Sequence, residues 1–424
     1  MSTFDPKPAD GRRSVQPEQI RWALYDWANS GFAVVVLTAL FPVMYKEVWN
    51  QGVPATESTF RLGMTNAVAT LVVVSAAPLI GALADRWAAK KRLLGLFLMM
   101  GVGACIGLAL ADAGSWWAAS CLFVVGYLGF AGGNICYDAL LVDVARPAEY
   151  DRVSALGYAF GYLGGGLLFA FDLVLIAKPQ WFGVGSADAA TRLAFASVAL
   201  WWGLFAVPLF LRVREAAPLP VRATVGVFGQ LADTLRDLRA RPEVWVFLLA
   251  YWLYIDGVDT VIRMAVDYGM ALGLASQDLV LAILITQFVA FPAALGFIVL
   301  ARVLGTRGGL FLGLGVYLAV TLWGYVLDSA TEFYLLAAVV GLVQGGVQAL
   351  SRSLYARLIP EERAAEYFGL YNMLGKFAAV IGPALVGAVA MYSGDSRLGM
   401  LALLLLFVPG MLLLARVRLD PAGR

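Results

Sequence analysis

The chain of 424 residues contains no histidine. Histidine is the side chain whose ordinary pKa lies nearest neutral pH, so its absence excludes a histidine catalytic dyad, a histidine proton relay and histidine metal ligands. Cysteine is scarce as well, because only Cys105, Cys121 and Cys136 are present, in apolar runs without a C-x-x-C spacing. That pattern argues against disulfides and zinc. We therefore expect no metal and no cofactor, and any proton-linked step falls to carboxylates, tyrosine or lysine.

Charged residues are also rare, at 14% of the chain, against about 25% in soluble proteins. Hydrophobic residues make up 61%, and the mean hydropathy is +0.78. The net charge of +2 gives no basis for nucleic-acid binding. The first 20 residues lack the apolar core of a signal peptide. This composition indicates an integral membrane protein that crosses the bilayer many times.

Twelve apolar segments of about 20 residues or more are long enough to span a bilayer as helices. Their even number places both termini on the same side. Of the 31 lysines and arginines, 24 lie in the tails or the even-numbered connections. Because basic residues favour the cytoplasmic side, we expect cytoplasmic termini. We expect the membrane to be a bacterial inner membrane. The segments are 20–48, 60–84, 92–111, 115–144, 150–177, 191–211, 244–270, 279–301, 308–327, 331–358, 364–391 and 397–416.

A long polar connection divides the chain almost in half. Its apolar side chains recur at helical spacing, at Val225, Phe228, Leu231, Leu235 and Leu238. The pattern predicts an amphipathic helix on the cytoplasmic surface. The expected organisation is an N-terminal tail (1–19), a first bundle (20–211), the linker (212–243), a second bundle (244–416) and a C-terminal tail (417–424).

The two halves are related in sequence. A shift of 213 residues places Gly345 on Gly132 and Tyr371 on Tyr158. We therefore predict an all-α membrane fold of 12 transmembrane helices, in two six-helix bundles related by pseudo-twofold symmetry. Repeats of this kind form their substrate site at the interface of the bundles, near the bilayer midplane.

Charged side chains form a stripe in the seventh segment, where Asp256, Asp259, Arg263 and Asp267 fall within about 80° of one another on a helix. A stripe that faced lipid would cost several kcal/mol per charge, so we expect it to face protein or water. Arg263 is four residues from two of the aspartates and can neutralise part of the stripe. Asp256 has no such neighbour and is the predicted proton carrier, with Asp259 and Arg263 completing the coupling site. A static ion-pair network that only fixes helix packing is the alternative.

Other segments carry polar side chains at membrane depth, where they are costly unless they face a cavity. Asp26, Asp138 and Asp256 suit the amine of a solute, although Asp26 suits a helix cap equally well. Lys376 is the ammonium nearest mid-membrane and suits a carboxylate, whereas Arg352 suits a gate or a loop contact. The candidate substrate-binding residues are Asp26, Asn29, Asn134, Asp138, Asp256, Gln344, Gln348, Asn372 and Lys376.

The connection after the second segment reads Gly81-Ala82-Leu83-Ala84-Asp85-Arg86-Trp87-Ala88-Ala89-Lys90-Lys91-Arg92. It resembles the loop signature of the major facilitator superfamily, although Ala88 stands where that signature has glycine. Asp85 and Arg86 are therefore candidate gating residues, together with Arg352. The corresponding loop of the second half, at residues 301–307, lacks the aspartate.

Residues 21–30, 253–260 and 345–360 are similar to the vacuole-effluxer-like branch of that superfamily. The resemblance implies a transporter rather than an enzyme, with helices one, four, seven and ten around a central cavity. Eukaryotic members of the branch are associated with autophagy and with amino-acid efflux from vacuoles. The resemblance supports fold and transport more strongly than it supports a particular substrate.

We expect a monomeric secondary transporter that moves a small polar solute, an amino acid, by alternating access coupled to protons. Its partners would be that solute, protons and the lipid bilayer. An exporter of amphipathic drug-like or siderophore-like compounds is the alternative, with a cavity lined by Trp22, Tyr25, Trp27, Trp252 and Tyr254. A membrane-embedded transferase is a remote alternative, since neither a histidine nor an acidic pair beside a soluble domain is available to it.

Overall fold

The computed structural model describes residues 15–215, 227–271 and 273–418, and the described residues contain helices but no strands. Most of both predicted tails and part of the predicted linker lie outside these residues. The first half contains six long helices. They are α1 (Pro17–Trp49), α2 (Ala55–Arg86), α3 (Lys90–Leu110), α4 (Trp116–Val144), α5 (Tyr150–Ala177) and α6 (Ala187–Arg212).

The second half contains six more. They are α7 (Pro242–Ala271), α8 (276–304), α9 (306–325), α10 (Ala330–Leu358), α11 (Ala364–Ser393) and α12 (Ser396–Arg416). Helices α8 and α9 follow one another through Gly305 alone, whose φ of 74° and ψ of 161° break the helix. Glycine adopts that conformation without strain, so one residue suffices for the turn. All twelve predicted spans are present in the described part of the chain.

Local sequence explains where several helices begin. Pro17 opens α1, where its missing N–H costs nothing because the first turn has no intrahelical acceptor. Ser186 and Ser329 cap α6 and α10, and each hydroxyl accepts a backbone N–H of the first turn at 3.2 Å. We call the end of the molecule where α1 begins and α12 ends the terminal face, and the opposite end the far face.

The two bundles meet along helices that the pseudo-twofold symmetry relates to each other, α2 to α8 and α5 to α11. Helix α2 of the first bundle packs on α11, and α5 packs on α8 and α10. Contact at α2 is backbone to backbone, because a Cβ on Gly81 would lie 2.2 Å from the carbonyl oxygen of Ala365, and one on Gly369 would lie 2.7 Å from that of Ala77. Glycine at these two positions permits an approach that any side chain would prevent.

The predicted amphipathic helix is present as Val227–Ala240, and we call it the linker helix. Gln230 and Thr234 both donate to the carboxylate of Glu366 at the start of α11. The linker helix therefore docks on the second bundle at the terminal face. Leu238 is buried, whereas Leu235 is 46% exposed. Val225 lies outside the described residues, as do the side chains of Phe228 and Leu231.

Asp237 anchors the other end of the linker helix. Its carboxylate accepts from the Tyr367 hydroxyl at 2.7 Å and forms salt bridges with Arg241 at 3.2 Å and Arg363 at 3.3 Å. Burial alone raises the pKa of Asp237, but the hydrogen bond and the two cations outweigh it and leave the pKa below its ordinary value. The carboxylate thus stays ionised through the physiological pH range.

Gly81→Ala is expected to weaken the packing of α2 on α11. The added Cβ meets a backbone oxygen, which cannot move without shifting a whole helix. We expect roughly 1–3 kcal/mol of overpacking and a lower melting temperature of the purified protein. Gly103→Ala is the matched control, because nothing lies within 4 Å of its Cβ position. Equal melting temperatures for the two variants would contradict the close approach.

Candidate functional site

A cavity of about 1200 Å³ lies between the two bundles. At its inner end the wall includes Asp26 of α1 and Arg352 of α10. From there it reaches Met270, Leu279 and Phe333, close to the far-face ends of α7, α8 and α10. The cavity thus lies at the interface of the repeats, where the sequence predicts the substrate site.

Arg352 closes the inner end of the cavity. It is only 1% exposed, although it carries a positive charge. Its Nη1 lies 3.0 Å from Asp138 of α4, and its Nη2 lies 3.4 Å from Asp26. Its Nε donates to the Ser154 hydroxyl at 2.9 Å, and Nη2 donates to the backbone oxygen of the same serine at 3.0 Å. Arg352 belongs to the second bundle and these acceptors to the first, so the contact holds the bundles together.

The surrounding side chains complete this cluster. The Tyr137 hydroxyl donates to Asp26 at 2.8 Å, and Asn372 Nδ2 donates to Asp138 at 3.0 Å. The guanidinium of Arg352 lies 4.9 Å from the Trp22 ring and 4.4 Å from the Tyr158 ring. Two carboxylates share one guanidinium here, so one negative charge has no cation of its own when both carboxylates are ionised. Sequence reasoning assigned Arg352 to a gate, and the structure puts it between the bundles.

A second interbundle contact involves Asp85, at the end of α2. Its carboxylate accepts the backbone N–H groups of Ala365 at 3.2 Å and Glu366 at 2.8 Å. These are the first N–H groups of α11, which have no intrahelical acceptor, so Asp85 caps a helix of the other bundle. Arg86, which follows, is half-buried at the same helix end.

A third contact uses Asp151 at the start of α5, which sequence reasoning did not single out. Its carboxylate forms a salt bridge with Arg357 at 2.8 Å and accepts from the Thr306 hydroxyl at 2.7 Å. Thr306 lies in the connection where the second copy of the loop signature lacks its aspartate. The only sequence signal was an acidic residue in the first turn of a helix, which is too common to mark a gate.

Carboxamide side chains surround the middle of the cavity. Asn29 Nδ2 donates to Asn134 Oδ1 at 2.6 Å, and the Tyr162 hydroxyl donates to Gln348 Oε1 at 2.6 Å. Gln344 Oε1 is buried and has no hydrogen-bond partner among the described atoms. All five side chains line the cavity. A polar solute here would find both donors and acceptors.

Lys376 and Asp259 also line the cavity, on α11 and α7. The Lys376 ammonium lies 5.8 Å from the Tyr127 ring and 5.5 Å from the Phe130 ring, within range of cation–π attraction. The positive charges of Arg263 and Lys376 attract the Asp259 carboxylate. Neither Lys376 nor Asp259 forms a salt bridge among the described residues. Arg263 is thus not salt-bridged to Asp259 in the described residues, and its partial neutralisation of the stripe stays a prediction. The side chain of Asp267 lies outside the described residues.

Asp256, predicted to face the cavity and carry the proton, does not line it. It is 1% exposed and packs against α11, where it accepts the backbone N–H of Gly382 at 2.9 Å. The Thr260 hydroxyl donates to the same oxygen at 3.5 Å. Asp259 lies three positions after Asp256, so the two side chains point about 60° apart around the helix. That difference places Asp259 at the cavity and Asp256 at the contact with α11.

The aromatic residues proposed from sequence do not line the cavity either. Trp22, Tyr25 and Tyr254 are fully buried in the bundles, and neither Trp27 nor Trp252 contributes to the wall in the described residues. Other aromatic side chains take that position. They include Phe123, Tyr127, Phe130, Tyr158, Tyr162, Tyr251, Tyr268, Phe333, Tyr371 and Phe377.

Comparison with known proteins gives a consistent family. Residues 55–424 match the family described as vacuole effluxer Atg22 like. The uncharacterized MFS-type transporter YxiO of Bacillus subtilis is 37% identical over 401 residues, which cover 93% of this chain and 94% of the relative. Autophagy-related protein 22-1 of Penicillium rubens is 30% identical over 292 residues, or 61% of this chain and 48% of the fungal protein. The match thus spans about half the length of that fungal relative.

The fold is similar to that of the human organic anion transporter MFSD10 (TETRAN), with a TM-score of 0.73. That likeness covers 94% of this chain and 100% of the human protein at 16% sequence identity, so it concerns the fold alone. The matching family, the bacterial relative and the fold all describe a membrane transporter rather than an enzyme. The chain belongs to the vacuole effluxer Atg22-like family, within the major facilitator superfamily of membrane transporters.

Proposed function

We propose that this protein transports an amino acid through the central cavity by alternating access, coupled to proton movement. One observation carries the choice of solute: Lys376 and Asp259 both line the cavity. Their charges attract each other, but neither forms a salt bridge within the described chain. A zwitterion would supply a carboxylate for the lysine and an ammonium for the aspartate. The carboxamides of Gln344, Asn29 and Asn134 would bind its remaining polar atoms.

We further propose that the terminal face is cytoplasmic, so that the cavity opens to the outside. The bias of lysine and arginine towards that face supports this orientation. The three interbundle contacts of Arg352, Asp85 and Asp151 all lie on the same side of the cavity, which is therefore the closed side. A bacterial relative over nearly the full length supports the inner membrane as its location. We propose a monomer, since the two bundles of one chain provide the partners for each other's contacts.

Proton coupling is assigned here to the cluster of Arg352, Asp26 and Asp138 rather than to Asp256. The cluster carries one more carboxylate than cation in a buried site, so a bound proton would remove its unbalanced charge. Asp26 is the better proton acceptor of the two, because it lies farther from the guanidinium, at 3.4 Å against 3.0 Å for Asp138. Its protonation would loosen the attachment of Arg352 to the first bundle and favour opening of the terminal face.

An exporter of larger amphipathic compounds remains the second candidate. The cavity of about 1200 Å³ exceeds the roughly 300–1,000 Å³ of typical sites for drug-sized ligands. Aromatic rings such as Phe123, Phe130 and Phe333 line it. A thermal-shift screen of amino acids against hydrophobic organic ions separates the two, because stabilisation by the ions alone would favour the exporter.

Lys376→Ala is expected to raise the dissociation constant for the amino acid at least tenfold. A hydrogen bond to a charged group contributes roughly 1.5–3 kcal/mol, which corresponds to about ten- to a hundredfold in affinity. Isothermal titration calorimetry on the purified protein measures the change. Lys46→Ala is the control, because Lys46 is an exposed lysine at the far-face end of α1. Equal affinities in the two variants would remove Lys376 from the binding site.

Asp259→Asn is expected to distinguish amino acids from their N-acetylated derivatives. Loss of the carboxylate should weaken binding of the free amino acid, since its ammonium loses an ionic partner. The N-acetyl derivative has no ammonium and should bind the parent protein less tightly than the free amino acid does. Its affinity should not change in Asp259→Asn. Competition against a labelled amino acid measures both. An equal loss for the two ligands would mean that Asp259 does not read the amine.

Asp26→Asn is expected to abolish solute accumulation driven by a pH gradient in proteoliposomes, while exchange of solute for solute continues. The asparagine keeps a hydrogen-bond acceptor but cannot take up the coupling proton. Asp151→Asn, at another interbundle contact, serves as the control and should keep the pH dependence. Unaltered pH-driven accumulation in Asp26→Asn would show that the proton binds elsewhere.

A further inference from the structure

The carboxylate of Asp256 is sealed in the second bundle, where the transport cycle described above leaves it without a role. It is 1% exposed, Thr260 beside it is fully buried, and its contact is a backbone N–H of α11. Helix α11 is also the helix that carries Asn372 and Lys376 into the cavity. The contact therefore links a buried acid to the helix that presents the solute-binding lysine.

The point of contact is a weak place in α11. Gly382 precedes Pro383, which has no N–H and whose ring displaces the carbonyl of residue 379 from its normal place in the helix. The N–H of Gly382 donates to Asp256 at 2.9 Å. Pro383 thus removes one hydrogen bond from the helix, and prolines are where helices most often bend.

The seam also requires a glycine. A Cβ at residue 382 would lie 1.9 Å from the Thr260 hydroxyl and 2.7 Å from the Asp256 oxygen. The acid, the hydroxyl and the bare backbone therefore fit one another, and nothing larger fits between the helices. Such a fit sets the position of α11 relative to α7 at one defined point.

Between this point and the start of α11 lies the segment that bears the cavity groups. Its beginning is fixed by the cap that Asp85 provides, and its end by the contact of Gly382 with Asp256. Lys376 stands six residues before Gly382, less than two helical turns away. A shift of α11 at Gly382 would thus alter the direction in which Lys376 points.

We propose that Asp256 is a positioning residue, whose oxygen holds α11 against α7 at Gly382 and thereby directs Lys376 into the cavity. The effect on the solute rests on the proposed function of Lys376, whereas the effect on α11 does not. The acceptor oxygen, rather than the charge or a proton, is what Asp256 contributes. This differs from the proton-carrier role predicted from sequence, and the two roles have opposite consequences for Asp256→Asn.

The test compares Asp256→Asn, which keeps an acceptor oxygen, with Asp256→Ala, which removes it, and with Gly382→Ala, which blocks the contact from the other side. Each is measured for amino-acid affinity. Each is also combined with Phe377→Cys and Cys121→Ser, and the alkylation rate of the new cysteine by a water-soluble maleimide is recorded. Residue 377 lines the cavity next to Lys376, so its reactivity reports the position of α11 without any solute.

We expect Asp256→Asn to stay within about twofold of the parent protein in affinity, alkylation rate and pH-driven accumulation. Asp256→Ala and Gly382→Ala should each change the alkylation rate at least threefold and weaken affinity at least tenfold. Asp172→Ala is the matched control, since Asp172 is an equally buried carboxylate on α5 that accepts from Ser197. It should leave the alkylation rate unchanged. If Asp256→Ala does not fold, Gly382→Ala and Asp256→Asn still decide the question.

Two results would overturn the proposal: an Asp256→Asn variant that behaves like Asp256→Ala or loses pH dependence, or a Gly382→Ala variant with the parent alkylation rate. Failure of the proposed function gives a different pattern. In that case the parent protein binds no amino acid, while the alkylation rates still separate the variants as expected.

Discussion

The charge of Arg352 constrains the whole molecule. A guanidinium that is 1% exposed must have its partners, and all of its carboxylate partners belong to the opposite bundle. Breaking a buried ion pair by removing one side typically costs about 3–5 kcal/mol. Opening of the terminal face would therefore require water, a proton or a repositioned side chain to replace what the aspartates provide. In the transport cycle proposed above, this one cation governs the exchange between the two faces.

Three of the interbundle contacts, those of Arg352, Asp85 and Asp151, have a common polarity. The first bundle supplies carboxylates, from Asp85 and Asp151 as well as from the Arg352 cluster, and the second bundle supplies the donors. Those donors include a side chain, Arg357, and the first backbone N–H groups of α11. Because each pairing crosses the same interface, the closed arrangement is held by several modest attractions of one direction. In the proposed cycle they would be lost together when the bundles rock, without repacking the core of either bundle.

Sequence alone predicts the twelve spans and the two-bundle fold, because hydrocarbon burial and the repeat leave few alternatives. It also predicts most of the polar residues that line the cavity, since charges at membrane depth must face protein or water. It fails for Asp256. Helical periodicity assigns Asp256 and Asp259 to one stripe. It does not reveal that α11 packs against Asp256 and leaves Asp259 facing the cavity. Ser154 was equally hidden, since its contact with Arg352 joins residues 198 positions apart.

The linker helix lies outside the membrane-spanning helices and contacts both bundles where they meet. Gln230 reaches the backbone oxygen of Ala82 in α2 at 3.4 Å as well as Glu366 in α11. Its ionic anchor, Asp237 with Arg363, is partly exposed to water at 30% and 29%. Ions in solution screen such a pair, whereas they do not reach the Arg352 cluster. The attachment of the linker helix to the second bundle therefore weakens as the ionic strength on the terminal face rises, while the Arg352 cluster is unaffected.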